Sequence, residues 1–205
     1  MTLQTAAPIE HLSLKTTYPS ARELVRLVSD GLMTADPPYQ RGRAWEPGQR
    51  VALIESWLSG TPIPAVIVND RDSPGWYQAN GGSLADGPCY AVIDGKQRIE
   101  TAAAWFAGRL AVPASWFRRG DVTQTEDTGD GPYVRYPWLS RGARTQFAID
   151  TAHLPQATAK VATIEDEARI YLRVNGAGTP QTAEDLARAA GIAANAAGSP
   201  GAPRP

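Results

Sequence analysis

The sequence predicts a fold that mixes helices and short strands in one domain. Two runs of strand length, Ala65-Val66-Ile67-Val68 and Tyr90-Ala91-Val92-Ile93, are almost wholly apolar. Longer stretches carry apolar residues at helical spacing, as in Leu24, Val25, Leu27 and Val28, and again in Ile99, Ala102, Ala103 and Phe106. With 205 residues, 42% of them hydrophobic, the chain can bury a substantial core.

The elements follow in order. Ile9 to Leu14 alternates apolar and polar residues and reads as a strand. Ser20-Ala21-Arg22-Glu23 has the form of a capping box and opens a helix that Gly31 stops. The prolines of Asp36-Pro37-Pro38-Tyr39-Gln40-Arg41-Gly42-Arg43 exclude helix and leave an extended loop. Pro47 suits the first turn of a second helix, with Val51, Ile54, Trp57 and Leu58 on its apolar face and Gly60 at its end. Thr61-Pro62-Ile63-Pro64 is a stiff link into the first apolar strand. Residues 70–88 are rich in Gly, Pro, Asp, Asn and Ser and read as a surface loop. After the second apolar strand, a helix runs from Gln97 to Ala107 and Gly108 ends it. Residues 118–137 read as an irregular, solvated insertion. Arg141 to Ile149 forms a short helix, Ala159 to Thr163 a strand, and Glu165 to Val174 a helix. Asn175-Gly176-Ala177-Gly178-Thr179-Pro180 is a turn, and Thr182 caps a last helix through about Ala190. Residues 8–190 thus form the domain, and the Ala/Gly/Ser/Pro-rich residues 191–205 a disordered tail.

Composition narrows the function. The formal net charge is -1, which argues against strong non-specific binding to nucleic acid, although local clustering of charge is compatible with it. Cys89 is the single cysteine, so no disulfide within the chain and no cysteine-based zinc site can form. It precedes an apolar run and reads as a buried strand residue. His11 and His153 stand far apart, which argues against a histidine metal site or a Ser-His-Asp triad. No stretch approaches the roughly 18–20 apolar residues that span a bilayer. The N-terminus lacks the pattern of a secretion signal. A cytoplasmic protein with no membrane partner is expected.

The chemistry concentrates at Asp94-Gly95-Lys96-Gln97-Arg98, between a strand and a helix. Gly95 permits an unusual turn and close approach to a ligand. The helix offers free backbone N–H groups and the positive end of its dipole. Lys96 adds charge, and Arg98 adds charge in a fork that matches phosphate oxygens. Asp94 can bind a metal ion, orient a water or hold Arg98. Together these suit the phosphates of a nucleotide. The spacing is not that of a Walker A loop. In Tyr39-Gln40-Arg41, with Trp45 beyond, Arg41 can take a second phosphate, and Tyr39 or Trp45 can stack on a base or pack beneath the loop; for Trp45 packing is the expectation. Arg173 and Asn175 are candidates to face a pocket.

Tyr39-Gln40-Arg41 with Trp45, Gly60-Thr61-Pro62-Ile63-Pro64, Asp94-Gly95-Lys96-Gln97-Arg98 and Asn175-Gly176-Ala177-Gly178-Thr179-Pro180, in this order, resemble the motifs of the DUF262 family. That family is similar to ParB N-terminal domains and sulfiredoxin. The resemblance covers about residues 20 to 190. It implies a compact α+β fold of the ParB/sulfiredoxin type, a small mixed sheet with surrounding helices. It also implies binding of a nucleoside triphosphate with Mg²⁺, hydrolysed in systems that restrict modified or foreign DNA. Carried over by position, Asp94, Gly95, Gln97 and Arg98 contact phosphate or metal, with Gln40 and Arg41 nearby. Lys96 stands where the family's usual motif has Gln.

Three functions are therefore expected in turn. The first is a nucleoside triphosphatase in DNA defence or DNA processing, with Asp94, Lys96 and Arg98 as catalytic residues, Asp94 as the metal ligand, and Gln40, Arg41, Gly95, Gln97 and Asn175 holding the nucleotide. The second is a phosphotransferase that moves the phosphate to a small molecule or a modified DNA base. The third is a non-catalytic ParB-like module that binds DNA or senses nucleotide. Larger members of the family continue into a nuclease or other effector domain with histidine-based metal chemistry. The resemblance therefore points to DNA and to a separate nuclease or modification enzyme as partners.

Overall fold

A computed structural model describes residues 11–40, 44–81, 87–176, Ala187, Gly191 and Ile192. The fold is α+β. One sheet is built from β1 (Lys15–Thr17), β2 (Met33–Thr34), β3 (Val66–Asp70), β4 (Tyr90–Asp94) and β8 (Gln156–Ala159), in the order β1-β8-β3-β4-β2. It is mixed: β1 with β8 and β3 with β4 are antiparallel, while β8 with β3 and β4 with β2 are parallel.

Two strands explain why the apolar runs are continuous. Val66, Val68 and Val92 point into the larger core, with Leu24, Ile54, Trp57, Ile99 and Trp105 from helices. Ile67 and Ile93 point the other way, into a smaller core with Tyr39, Ala168, Ile170 and Tyr171. Successive side chains of a strand face opposite sides, so β3 and β4 need apolar residues at both parities. The larger core is covered by α1 (Ala21–Ser29), α2 (Pro47–Ser59) and α4 (Lys96–Phe106). The smaller core is covered by α6 (Ile164–Gly176).

The helix starts follow the expected signals. Ser20 Oγ accepts from the Glu23 backbone N–H at 3.2 Å and caps α1. Pro47 sits in the first turn of α2, where Glu46 and Gln49 complete a capping box. Several expectations need correction. Residues 11–14 form no strand; β1 begins at Lys15, and residues 9 and 10 lie outside the described residues. The expected loop 70–88 contains a helix, α3 (Pro74–Ala79), capped by Ser73 Oγ. Cys89 is half-buried and precedes β4 instead of lying in it. Strand β8 spans 156–159 and not 159–163, because its partly exposed residues alternate weakly and hide the signal.

The largest correction concerns 118–137. It holds β6 (Glu126–Thr128) and β7 (Gly131–Arg135), a hairpin that joins β5 (Ala111–Pro113) in a second antiparallel sheet of order β5-β7-β6. Val112 and Val134 of this sheet are fully buried in the larger core. Arg135 makes a bidentate pair with Glu126 across the hairpin, Nη2 to Oε1 at 2.8 Å. The helix α5 (Arg141–Gln146) continues into a π-helical segment, Phe147–Thr151. Helix α6 runs through Asn175 and Gly176, so the expected turn starts inside the helix; its remaining residues lie outside the described ones. The last predicted helix is described only at Ala187. Gly191 and Ile192, expected in the tail, are helical, and Ile192 packs against the smaller core. Among the described residues no helix is long and apolar enough to cross a membrane.

Candidate functional site

Strand β4 ends at Asp94, Gly95 turns the chain, and α4 begins at Lys96. Gly95 has φ 97°, in the left-handed region that L side chains avoid. A Cβ there would lie 2.9 Å from Val66 Cγ2, 3.1 Å from Val66 Cα and 2.8 Å from Arg98 Nη1. The glycine is therefore fixed by the fold itself, which packs the start of β3 and the Arg98 side chain over the turn. No side chain caps α4. Its first-turn N–H groups and the positive dipole end face the junction without a protein anion bound through a cap.

The charged side chains are arranged in pairs. Arg98 Nη1 donates to Asp94 Oδ2 and to the Ala65 carbonyl, both at 3.3 Å. Of the roles open to Asp94, holding Arg98 is the one visible in the geometry. A guanidinium has five N–H donors, and among the described residues the Nε and Nη2 groups of Arg98 have no partner. Lys96 Nζ donates to Asp36 Oδ1 at 2.9 Å and lies 3.8 Å from Glu100 Oε1. The Asp36 side chain is 76% exposed, so this pair contributes at most about 1 kcal/mol and Lys96 can exchange it for a ligand oxygen. Lys96 and Arg98 face three acids, Asp94, Asp36 and Glu100. The described part of the junction is thus not a basic patch, and a bare polyanion meets little net attraction there.

The loop before α2 docks on this junction. Gln40 is buried; its Nε2 donates to the Ile93 carbonyl at 3.3 Å, and its Oε1 is buried with no partner among the described residues. Such an orphan acceptor costs about 1–3 kcal/mol and marks a place where a further donor is wanted. Gln97 Oε1 accepts from the Trp45 backbone N–H at 3.1 Å, so Gln97 fastens the loop to α4. Trp45 packs against the larger core, as the packing reading expects. Arg41 lies outside the described residues. Asn175 donates from Nδ2 to the Tyr171 carbonyl at 3.0 Å, back onto its own helix.

Tyr39 is wholly buried, so it is no stacking surface. Its hydroxyl donates to Glu167 Oε2 at 3.1 Å. Glu167, also wholly buried, accepts two bonds from Arg71, at 2.8 and 2.7 Å, and one from Asn69 Nδ2 at 2.8 Å. Burial pushes the Tyr39 phenol far above its usual range, and the neighbouring Glu167 charge adds to the rise, so it stays a donor. Arg71 stacks on Trp76 of α3 at 4.5 Å. This network pins the loop that carries Gln40 to β3 and α6. Sequence reasoning missed it. The one available signal was that Glu167 lies three and four residues before Ile170 and Tyr171, hence on the buried face of α6.

A mixed α+β domain with a charged strand-glycine-helix junction, onto which a proline-stiffened loop is fastened, is the class that fold and site define. Residues 22–191 match the model of the GmrSD restriction endonuclease, N-terminal domain, and the chain belongs to that family. No curated protein and no solved structure matches the chain.

Proposed function

We propose that the chain is a nucleotide-binding domain of a DNA-restricting system and that it cleaves a nucleoside triphosphate at the junction of β4 and α4. The reading rests on one observation: the uncapped start of α4 carries Lys96 and Arg98, with free donors of Arg98 beside Asp94. Membership of a restriction-endonuclease family supports the DNA-defence setting, and the four motifs that resemble those of the DUF262 family support the nucleotide.

In this reading the α4 N–H groups and Lys96 bind phosphate oxygens, with Lys96 releasing Asp36. Arg98, held by Asp94, turns its free Nε and Nη2 toward the charge that develops on the transferred phosphoryl group. The unpartnered Gln40 Oε1 accepts a donor from the nucleotide or its water shell. A water oxygen bonds to the terminal phosphorus, the bond from that phosphorus to the bridging oxygen breaks, and the products are a nucleoside diphosphate and inorganic phosphate.

Among the described residues no group of three or more His, Cys, Asp or Glu could hold a resident metal ion. Asp94 as a lone carboxylate nevertheless fits Mg²⁺ that arrives with the phosphates, since Mg²⁺ commonly uses one or two carboxylates, phosphate oxygens and waters. When bound, Mg²⁺ would neutralise phosphate charge, which suits a junction with three acids beside two cations.

Turnover of γ-labelled triphosphate with Mg²⁺ tests the proposal. Asp94→Ala and Arg98→Ala are expected to lose about a hundredfold or more. Undiminished turnover in both variants removes the site from consideration. Label recovered on an acceptor, instead of as free phosphate, replaces hydrolysis by phosphotransfer at the same residues.

A further inference from the structure

A cavity of about 490 Å³ opens at the far end of α4 and is lined by Arg22, Phe106, Tyr136, Arg141, Arg144 and Ile149, among others. Phe106 is ten residues beyond Lys96, so the cavity lies about 15 Å along α4 from the nucleotide junction. Three guanidinium groups line it, and no Asp or Glu does.

Of the thirteen described arginines five are paired with a carboxylate and eight are not, and three of those eight meet at this cavity. Arg26, Arg71, Arg98, Arg135 and Arg169 each have a carboxylate within ion-pair distance. Among the described residues Arg22, Arg141 and Arg144 have none. Arg22 is set in place by Tyr136: Nη2 donates to its hydroxyl at 2.6 Å, and the guanidinium lies 4.9 Å from the Phe106 ring centre and 5.6 Å from that of Tyr136. The Tyr136 hydroxyl in turn donates to the Arg144 carbonyl at 2.9 Å. Arg144 Nε is sealed from solvent with no partner among the described residues, a donor left unmet inside the wall of a cationic cavity. Arg141 and Arg144 are three residues apart on α5 and share a face. Three like charges gathered without a counter-charge repel one another, and an anionic ligand removes that cost.

The rim favours an extended ligand over a small anion. The π-helical segment brings Ala148 and Ile149 to the cavity, and Ile149 is 62% exposed. π-turns are rare and accompany functional sites. Apolar side chains meet bases in protein–DNA complexes, packing on a thymine methyl or wedging between base steps.

We propose that this cavity binds the phosphodiester backbone of a DNA strand, with Arg22, Arg141 and Arg144 on phosphate oxygens and Ile149 against the adjoining nucleoside. The choice of DNA rests on the restriction-family reading; the anion site rests on the geometry alone. The test is fluorescence anisotropy of labelled single-stranded and duplex DNA with the full chain, titrated at several salt concentrations. Arg141 is exposed and bonded to nothing among the described residues, so Arg141→Glu is expected to leave the fold intact, checked by an unchanged far-ultraviolet circular dichroism spectrum. Arg141→Glu and Arg144→Gln are expected to weaken DNA binding about tenfold or more. Arg141→Ala is expected to lower the salt slope by about 0.7 on single strands and about 0.9 on duplex, the loss of one phosphate contact. Asp94→Ala is expected to bind DNA like the wild type. Unchanged DNA affinity in Arg141→Glu and Arg144→Gln overturns the proposal. So does a wild type that binds adenosine monophosphate or pyrophosphate in an Arg141-dependent way but no DNA. Nucleotide turnover is read separately: its absence in the wild type, with DNA binding still lost in Arg141→Glu, ends the proposed activity and leaves the DNA site standing.

Discussion

Gly95 sits at φ 97° with Val66 and Arg98 filling the space a side chain would need. Gly95→Ala therefore incurs two penalties, a left-handed backbone and a clash with the Arg98 and Val66 side chains, with the Val66 backbone tight behind them. Their sum is about 2–5 kcal/mol. Urea unfolding is expected to show an unfolding free energy lower by that amount, with the midpoint falling in proportion; a variant as stable as the wild type contradicts the packing account. Part of this was legible in the sequence. A glycine between an apolar run and a helix announces a special turn. That Val66 closes over it was not legible, because the contact joins positions 29 apart that only the pairing of β3 with β4 brings together. Gln97 is a similar case: it was read as a phosphate contact, and its Oε1 is engaged by the Trp45 backbone, so its visible work is to fasten the loop.

At the level of elements, the joint between α6, β3 and the Tyr39 loop depends on one carboxylate. Glu167→Ala leaves the largely buried Arg71 without its ion-pair partner and takes one hydrogen bond from each of Tyr39 and Asn69. Breaking such a pair costs about 3–5 kcal/mol. Replacing both residues, as in Glu167→Leu with Arg71→Met, is expected to cost less than Glu167→Ala alone, measured by denaturant unfolding. A double variant less stable than the single one argues against the burial-charge explanation. Helices α1, α2 and α4 were readable because Ser20, Pro47 and the glycines after them are local signals. The hairpin of β6 and β7 was not, because Asp127, Thr128 and Pro132 are turn-like residues on short, half-exposed strands, and only Val134 reaches the core. Helix α3 was hidden in the same way by Pro74 and Gly75, which look like loop until Ser73 is recognised as a cap.

For the molecule as a whole, the two sheets share one core. Val112, Val134 and Leu139 of the second unit lie in the same buried cluster as Leu24, Trp57 and Trp105. Leu139 is 2% exposed, so Leu139→Ala is expected to destabilise the protein by about 2–5 kcal/mol. Tryptophan fluorescence and far-ultraviolet circular dichroism are expected to shift together, since unfolding the small sheet opens the core under the large one. Separate transitions would show two independent units instead. The burial of β4 on both faces carries this coupling into the site. Val92 belongs to one core and Ile93 to the other, and the chain reaches Asp94 directly from them. No partial opening of either face sets that stretch free. Its amide protons are expected to exchange with solvent only when the entire fold lets go, so the platform beneath the Asp94–Arg98 junction is as slow to yield as the protein is stable.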